Sequence, residues 1–421
     1  MDIFLRQVKI IDHRSPFHNK SVDVIIKKGI ISKIGKKLSK PNSITEWNEP
    51  NSHISIGWFD IGTQIGEPGF EHRESFKSVS RAAASGGYTG IACFPNTNPC
   101  LHSKSEIQYI YNNTKESAVE ILPIGALSKS CHGDEITEMI DMKEAGAIAF
   151  SDGNQAITKN GVLLRALEYT RSFDGIIITV PIDNSIQSNG VMNEGITSVQ
   201  LGMPGIPDIS EKLIVQRDIE LAKYVQGRLL IHNISTQEAI TAIKSGQRSK
   251  LNVNASICYL NLTKADHDLQ RFDPNLKVLP PLRTEQQRKS LVKAISNGDI
   301  HIITSGHQPL EPEKKEKEFF YADFGAIGLQ TCFSAVLTTC GKDIPLDKII
   351  YALSIGPRQA LQLNLPEISE NAPANLTIFN PKESWTFDRS LNYSKSNNSP
   401  FLNQEFVGKV KAIIHRNQII Q

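Results

Sequence analysis

At 421 residues, with 39% hydrophobic and 21% charged residues, the chain has the composition of a globular protein with room for one large domain and a small accessory one. Lys+Arg 46 against Asp+Glu 44 leaves a formal net charge of +2, which excludes a general electrostatic attraction to nucleic acid or to a membrane surface. No apolar run approaches the ~20 residues of a membrane span, and the N-terminal MDIFLRQVKIID is charged throughout with no secretory apolar core, so the cytoplasm is the expected compartment.

Residues 1–53 read as short strands. IFLRQVKIID, SVDVIIKKGIISKIG and ITEWN are rich in β-branched residues and are separated by turn-forming HRSPFHNK and KKG. Residues 54–60 read as a buried strand that runs into a glycine-rich loop, with a helix beginning near Glu74. From there to about residue 372, apolar strand-like runs alternate with amphipathic stretches. The strands are ISIGWFD, TGIACFP, VEILPIGA, AIAFS, GIIITV, RLLIHN, KLNVNAS and DIHIITS; the helices between them include ESFKSVSRAAAS, VLLRALEYTRSF, SEKLIVQRDIELAKYV and RTEQQRKSLVKAISNG. Eight such repeats predict a (β/α)8 TIM-like barrel, with its site at the C-terminal strand ends. The charge run EPEKKEKE after the eighth strand reads as a solvated loop. Helices at FGAIGLQTCFSAVLTTCG, LDKIIYALSIG and PRQALQLN close the region. Residues 373–421 are β-rich again, in ANLTIFNP, WTFD and GKVKAIIHRNQII. The two β-rich ends are expected to meet in one small β-sandwich: 1–53 and 373–421 around a barrel of 54–372.

Six cysteines (Cys93, Cys100, Cys131, Cys258, Cys332 and Cys340) include no CxxC pair, which argues against a disulfide framework and a thiolate zinc site. The neighbours Cys131-His132 and Cys258-Tyr259 read as packing or surface residues.

Several motifs carry a more specific resemblance. Asp60, followed by Glu67-Pro68-Gly69, and the segments FPNTNP, DMKEAGAIAFSDG, NEGITSVQLGMPGIP, PPLRTEQQR and SPFLNQEFVGKV stand in the order found in dihydroorotases of the long bacterial type. The chain resembles that family of the amidohydrolase superfamily over its whole length. In the family, the first barrel strand ends Asp-x-His-x-His-x-Arg-Glu-Pro-Gly. Residues i and i+2 of a strand point to one side, so the two imidazoles meet at one metal, which activates water and polarises the scissile carbonyl.

The resemblance implies that this machinery is missing. Gly62 and Gln64 stand at the two histidines, Val180 at the metal histidine after strand five, and Asn233 at that after strand six. Gly306 stands at the aspartate after strand eight. His232 is offset by one residue, which turns it to the other face of its strand, so it is expected to be packed or at the surface. Cys258-Tyr259 replaces a His-His pair. Of the substrate clamp, Gly66, Leu279 and Leu310 replace an arginine, an asparagine and a histidine. Asp152 is the one remaining candidate metal ligand. Asn96, Asn98, Arg283 and His307 are the candidate ligand-binding residues, although Asx turns and a surface arginine need no ligand.

Three readings follow. The first is a metal-dependent cyclic amide hydrolase interconverting N-carbamoyl-aspartate and dihydroorotate through an atypical site. The second, which the resemblance favours, is a non-catalytic relative without cofactor that assembles as a homo-oligomer, most simply a dimer, and with aspartate transcarbamoylase. The third is a metal-free enzyme or ligand-binding protein using Asn96, Asp152, Tyr259 and His307.

Overall fold

Residues 2–10 form the spine of a sheet drawn from both ends of the chain; the computed structural model describes residues 1–42 and 44–421. Asp2–Ile10 pairs antiparallel with Ser21–Lys27, which pairs with Ile30–Gly35. Its other edge is shared: Ile3 lies opposite Thr45 of Thr45–Trp47, and Lys9 opposite His53 of His53–Ile56, both parallel. His53–Ile56 then pairs antiparallel with Leu376–Phe387, which continues into Gln404–His415 and Gln418–Ile420. Alternating apolar residues from both ends, among them Leu5, Val8, Val24, Ile54, Leu376 and Ile414, form one buried cluster.

The run expected as one strand at 54–60 is two. His53–Ile56 belongs to the terminal sheet and Trp58–Thr63 to the barrel. Gly57 is the joint. Its N–H donates to the Asn375 carbonyl (2.9 Å), and a Cβ there would meet Thr89 Oγ1 at 2.1 Å. Both halves carry the β-branched and aromatic residues of strands, so nothing in the local pattern marks the change of sheet.

The barrel follows the expected repeat. Trp58–Thr63, Tyr88–Cys93 and Glu120–Pro123 pair in parallel, and Phe150 bridges Gly125 to Ile177. Ile176–Thr179, Arg228–Ile231 and Val253–Ala255 continue the series, and Ile257–Cys258 pairs with Ile303–Thr304. The AIAFS run thus contributes only two isolated bridges, both through Phe150. The ring closes where Asp60 accepts hydrogen bonds from Ser305 N (2.7 Å) and Oγ (2.6 Å), and where Gln64 N donates to the His307 carbonyl (3.0 Å). Strands covered by helices are apolar on both faces, and all six residues of Trp58–Thr63 and of Tyr88–Cys93 are buried. Phe59, Ile61, Ala92, Leu122, Ile178 and Leu230 pack together in one buried cluster with Phe94.

Three local expectations are corrected. LDKIIYALSIG and PRQALQLN are one helix, Leu346–Ala360, running through Pro357. Gly356 lets it approach strand eight, where a Cβ would meet the His301 carbonyl oxygen at 1.8 Å. ANLTIFNP and WTFD are one strand, Leu376–Phe387, and Pro381 falls in the register irregularity between Asn380 and Ser384, where no ladder N–H is required of it. EPEKKEKE is not wholly solvated: Pro312–Lys315 is helical, and Lys315 is buried with its ammonium donating to the Asp323 carbonyl (2.8 Å). The six cysteines are free, and Cys100 and Cys131 lie with their sulfurs 2.9 Å apart.

Candidate functional site at the barrel mouth

The positions that lack the family's metal ligands converge. Gly62, Gln64, Val180, Asn233 and Gly306 line one cavity of about 240 Å³ at the C-terminal ends of the barrel strands, together with His232, Cys258 and His307. The one-residue offset of His232 does not turn it away. The ring is 4% exposed and packs edge-on to Phe94, centroids 5.0 Å apart. A Cβ on Gly62 would lie 2.6 Å from His232 Cε1 and 2.8 Å from Phe94 Cε2. The residue after it shows why: Asn233 has φ +60°, so the strand has already left regular extension, and period-two reasoning no longer applies.

His232 is held as a neutral acceptor. Asn233 Nδ2 donates to its Nε2 (2.9 Å), and Nδ1 faces Ser256 Oγ at 3.3 Å. Asn233 Oδ1 accepts from Thr304 Oγ1 (2.6 Å), which fixes the amide orientation. Burial pushes the imidazole pKa down to about 3. Next to strand one, a Cβ on Gly306 would lie 2.6 Å from Cys258 Sγ. Burial pushes that thiol up to about 12, so it is neither thiolate nor ready ligand at neutral pH.

The acids near the mouth are committed to the scaffold. Asp60 accepts from Ser305 and Thr63, and burial raises its pKa against those hydrogen bonds. Asp152, the remaining metal candidate, accepts from Ser128 N (2.8 Å) and Ser128 Oγ (2.5 Å) and does not line the cavity; burial raises its pKa too. Glu74 lies 3.3 Å from His307 Nε2 and also bonds Ser78 and Ser394. Burial disfavours this carboxylate, but those partners outweigh it and hold the carboxyl below its ordinary value.

The other expected site residues fall elsewhere. Asn96 staples a loop, with Nδ2 donating to the Asp152 carbonyl (3.0 Å) and Oδ1 accepting from Asn154 N (3.1 Å). Asn98 is exposed, and its N–H donates to the Pro68 carbonyl. Arg283 is not a surface residue, and it does not line the cavity. It is 3% exposed, with its guanidinium on Ser235 Oγ (2.9 Å), Asn193 Oδ1 (2.8 Å) and Asp208 Oδ1 (2.8 Å), and 3.5 Å from Glu211. Tyr259 is buried with its hydroxyl against Thr331 (3.1 Å). Of the four residues in the metal-free reading, only His307 reaches the cavity.

Sequence reasoning missed four polar wall groups: Asn154, His232, Asn261 and Gln308. It also missed the Ser/Asn-rich segment near the C-terminus. Asn398 Nδ2 donates to the Gln308 carbonyl (2.9 Å), its Oδ1 accepts from Leu310 N (3.2 Å), and Ser396 Oγ donates to the Arg73 carbonyl (3.0 Å). A segment with the composition of a linker therefore braces the loops after strands one and eight.

A catalytic metal here would need about three imidazole, carboxylate or thiolate donors around one point. The mouth offers two glycines, a valine and two neutral carboxamides at the five positions, and His232 already accepts through Nε2. Among the described residues, no group of three or more His, Cys, Asp or Glu is placed to hold a metal ion. The donor set does not fit the group that the fold family implies.

Comparison with known proteins places this geometry in a family. Residues 53–239 match the family model described as Dihydro-orotase-like. A dihydroorotase of Caldicellulosiruptor saccharolyticus is 34% identical across the whole of this chain and 98% of its own length. One from Solibacter usitatus is 35% identical over 98% and 96% of the two chains. Among solved structures, the L-hydantoinase (dihydropyrimidinase) from Arthrobacter aurescens superposes with a TM-score of 0.86 at 20% identity, covering 100% of this chain and 96% of its own, which speaks to the fold of barrel and sandwich alone. No helix among the described residues is long and apolar enough to cross a membrane. With full-length relatives at this identity, the chain belongs to the dihydroorotase family.

Proposed function

We propose that this dihydroorotase-family protein has lost the hydrolytic reaction and serves pyrimidine biosynthesis as a non-catalytic subunit, self-associating as a two-fold dimer and binding aspartate transcarbamoylase. The observation that carries the first half is the convergence of Gly62, Gln64, Val180, Asn233 and Gly306 on one cavity without an acid or a free imidazole among them. Losing a metal removes both the activated water and the Lewis acid, each worth several kcal/mol of barrier. The second half is supported by what is kept: a complete barrel, a sheet joining both termini and an ordered brace over the mouth. Symmetric dimers are the commonest assembly of soluble chains, and a net charge of +2 puts little like-charge repulsion in the way.

The test has two arms. Protein dialysed against zinc should retain no stoichiometric metal and should not convert dihydroorotate or N-carbamoyl-aspartate. Co-expressed with aspartate transcarbamoylase from the same organism, it should co-elute in a fixed ratio by size exclusion with light scattering. Zinc-dependent turnover would overturn the loss of activity; independent elution at micromolar concentration would remove the assembly role.

A further inference from the structure

The floor of the barrel holds a buried cation that no carboxylate of the described residues is bonded to. The geometry points to a second site there, at the opposite end of the barrel from the mouth, where Arg358 takes a phosphate group, free or on a small ester. This site goes beyond the reading of the mouth and stands whether or not the mouth is catalytic.

Arg358 lies near the end of the closing helix Leu346–Ala360 and is 4% exposed. A guanidinium carries five N–H donors. Nη1 donates to the Gly57 carbonyl (2.6 Å) and the Ser354 carbonyl (3.1 Å), and Nη2 donates to Thr89 Oγ1 (3.2 Å). These bonds brace the joint between sheet and barrel, and the Phe59 ring covers one face of the group, its centroid 5.1 Å away. They leave the Nε–H and one Nη2–H unused. Nε and Nη2 flank one edge of the fork, the edge that can grip two oxygens of one anion. No atom of Arg358 is among the described side-chain polar atoms that are sealed from solvent without a partner, so the unused Nε–H faces open space.

That space is a cleft of about 780 Å³ between the barrel floor and the terminal sheet, well within the roughly 300–1,000 Å³ of small-molecule sites, which favour such domain boundaries. Charge selects the occupant. The acid that acts on Arg358, Glu120, is already paired with Arg416 at 2.9 Å. A buried charge without a partner is costly. Burial accordingly pulls the guanidinium from its usual range down to about 9, and an anion against Nε would reverse that. Lys28 and Arg416 also line the cleft, so its cations outnumber Glu120 and Glu367 by three to two. A phosphate dianion draws more on that excess than a single carboxylate does. Leu122, Ile148 and Leu363 on the walls leave an apolar surface for the body of an ester.

Isothermal titration and thermal melts of the full-length protein with inorganic phosphate test this, with sodium chloride at matched ionic strength as the blank. Phosphate should bind saturably at one site at millimolar concentration or below, and Tm should rise with its concentration as mass action requires. Acetate should bind at least about tenfold more weakly. Arg358→Lys keeps the charge but loses the fork, and should weaken phosphate about tenfold or more. Because Arg358 also braces Gly57, a second variant leaves it in place. Asn364 lines the cleft and is exposed, so Asn364→Glu should spare the fold and weaken phosphate several-fold, while Asn364→Gln binds as the parent does. A merely structural Arg358 would lower Tm when replaced but give no phosphate-dependent shift in any protein. No binding above the chloride blank, equal affinity for acetate, or unchanged binding in Arg358→Lys or Asn364→Glu would overturn the inference. Neither zinc, dihydroorotate nor aspartate transcarbamoylase enters these measurements, so the proposed function is judged apart from them.

Discussion

At the scale of single residues, the lost ligands cannot simply be put back, because their space has been taken. Gly62 has φ +83°, and its missing side chain is replaced by the His232 and Phe94 rings; Gly306 has φ +52° and yields its space to Cys258. Left-handed backbone is unfavourable for a side chain, and overpacking adds to it. The variant Gly62→His with Gln64→His should therefore lose on the order of 2–4 kcal/mol in urea unfolding and show no dihydroorotate turnover. Turnover above that of the parent would mean that the mouth adapts far more readily than its packing allows. His232 makes a second prediction. Its pKa is about 3 in the fold against an ordinary 6.5, so the unfolded chain takes up a proton that the native state refuses. The stability that neutral His232 provides is complete above pH 6.5 and falls as pH drops toward 3, by about 1.4 kcal/mol per pH unit. No charged side chain offsets this, since its neighbours are Gly62, Phe94, Asn233 and Ser256. Urea melts at pH 7, 6 and 5 should be less pH-dependent by that slope in His232→Gln; parallel dependence in both proteins would refute the assignment.

At the scale of elements, what was legible in the sequence was periodic, and what was hidden was either a joint or a long-range polar contact. The barrel strands stand out because parallel strands are uniformly apolar and the helices between them are amphipathic. The break at Gly57 was invisible because both sides of it are strand-like. Arg283 shows the second kind of concealment. Its partners lie 48 to 90 residues away in the chain, so the sequence gives no hint that a PPLR arginine will be buried against Glu211. That carboxylate accepts from Ser235 N (2.8 Å) and from Thr236 N and Oγ1 (both 2.9 Å). It thereby ties the helix Asp208–Val225 to the start of the helix Gln237–Arg248. Removing one member of a buried pair leaves the other uncompensated, at roughly 3–5 kcal/mol. Arg283→Met should lose about that much stability, and adding Glu211→Gln should recover part of it. If Arg283→Met unfolds like the parent, the arginine is free for the ligand role that the sequence suggested.

At the scale of the whole molecule, the two ends of the chain and the barrel share strand pairing and aromatic packing, so neither part is expected to survive alone. The His53–Ile56 strand is paired on one side by Asp2–Ile10 and on the other by Leu376–Phe387. Phe379, on that last strand, packs with ring centroids 5.7 Å from Trp58 and 5.4 Å from Phe333, which belong to the barrel and its closing helix Cys332–Cys340. Beyond it, Ser394 bonds Glu74, and Asn398 holds the loop after strand eight. A barrel cut to residues 57–372 would expose Trp58 and Phe333, both at most 2% exposed in the full chain, and would strip the mouth loops of their brace. Burying an aromatic side chain is worth about 1.5–3 kcal/mol, and a domain's net stability is only about 5–15 kcal/mol, so a few such losses suffice. The 57–372 fragment should elute as aggregate, bind a hydrophobic dye and give no cooperative thermal transition, whereas the full chain melts in one. A soluble, monodisperse fragment with its own sharp melt would show instead that the barrel is autonomous and that the terminal sheet is only attached to it.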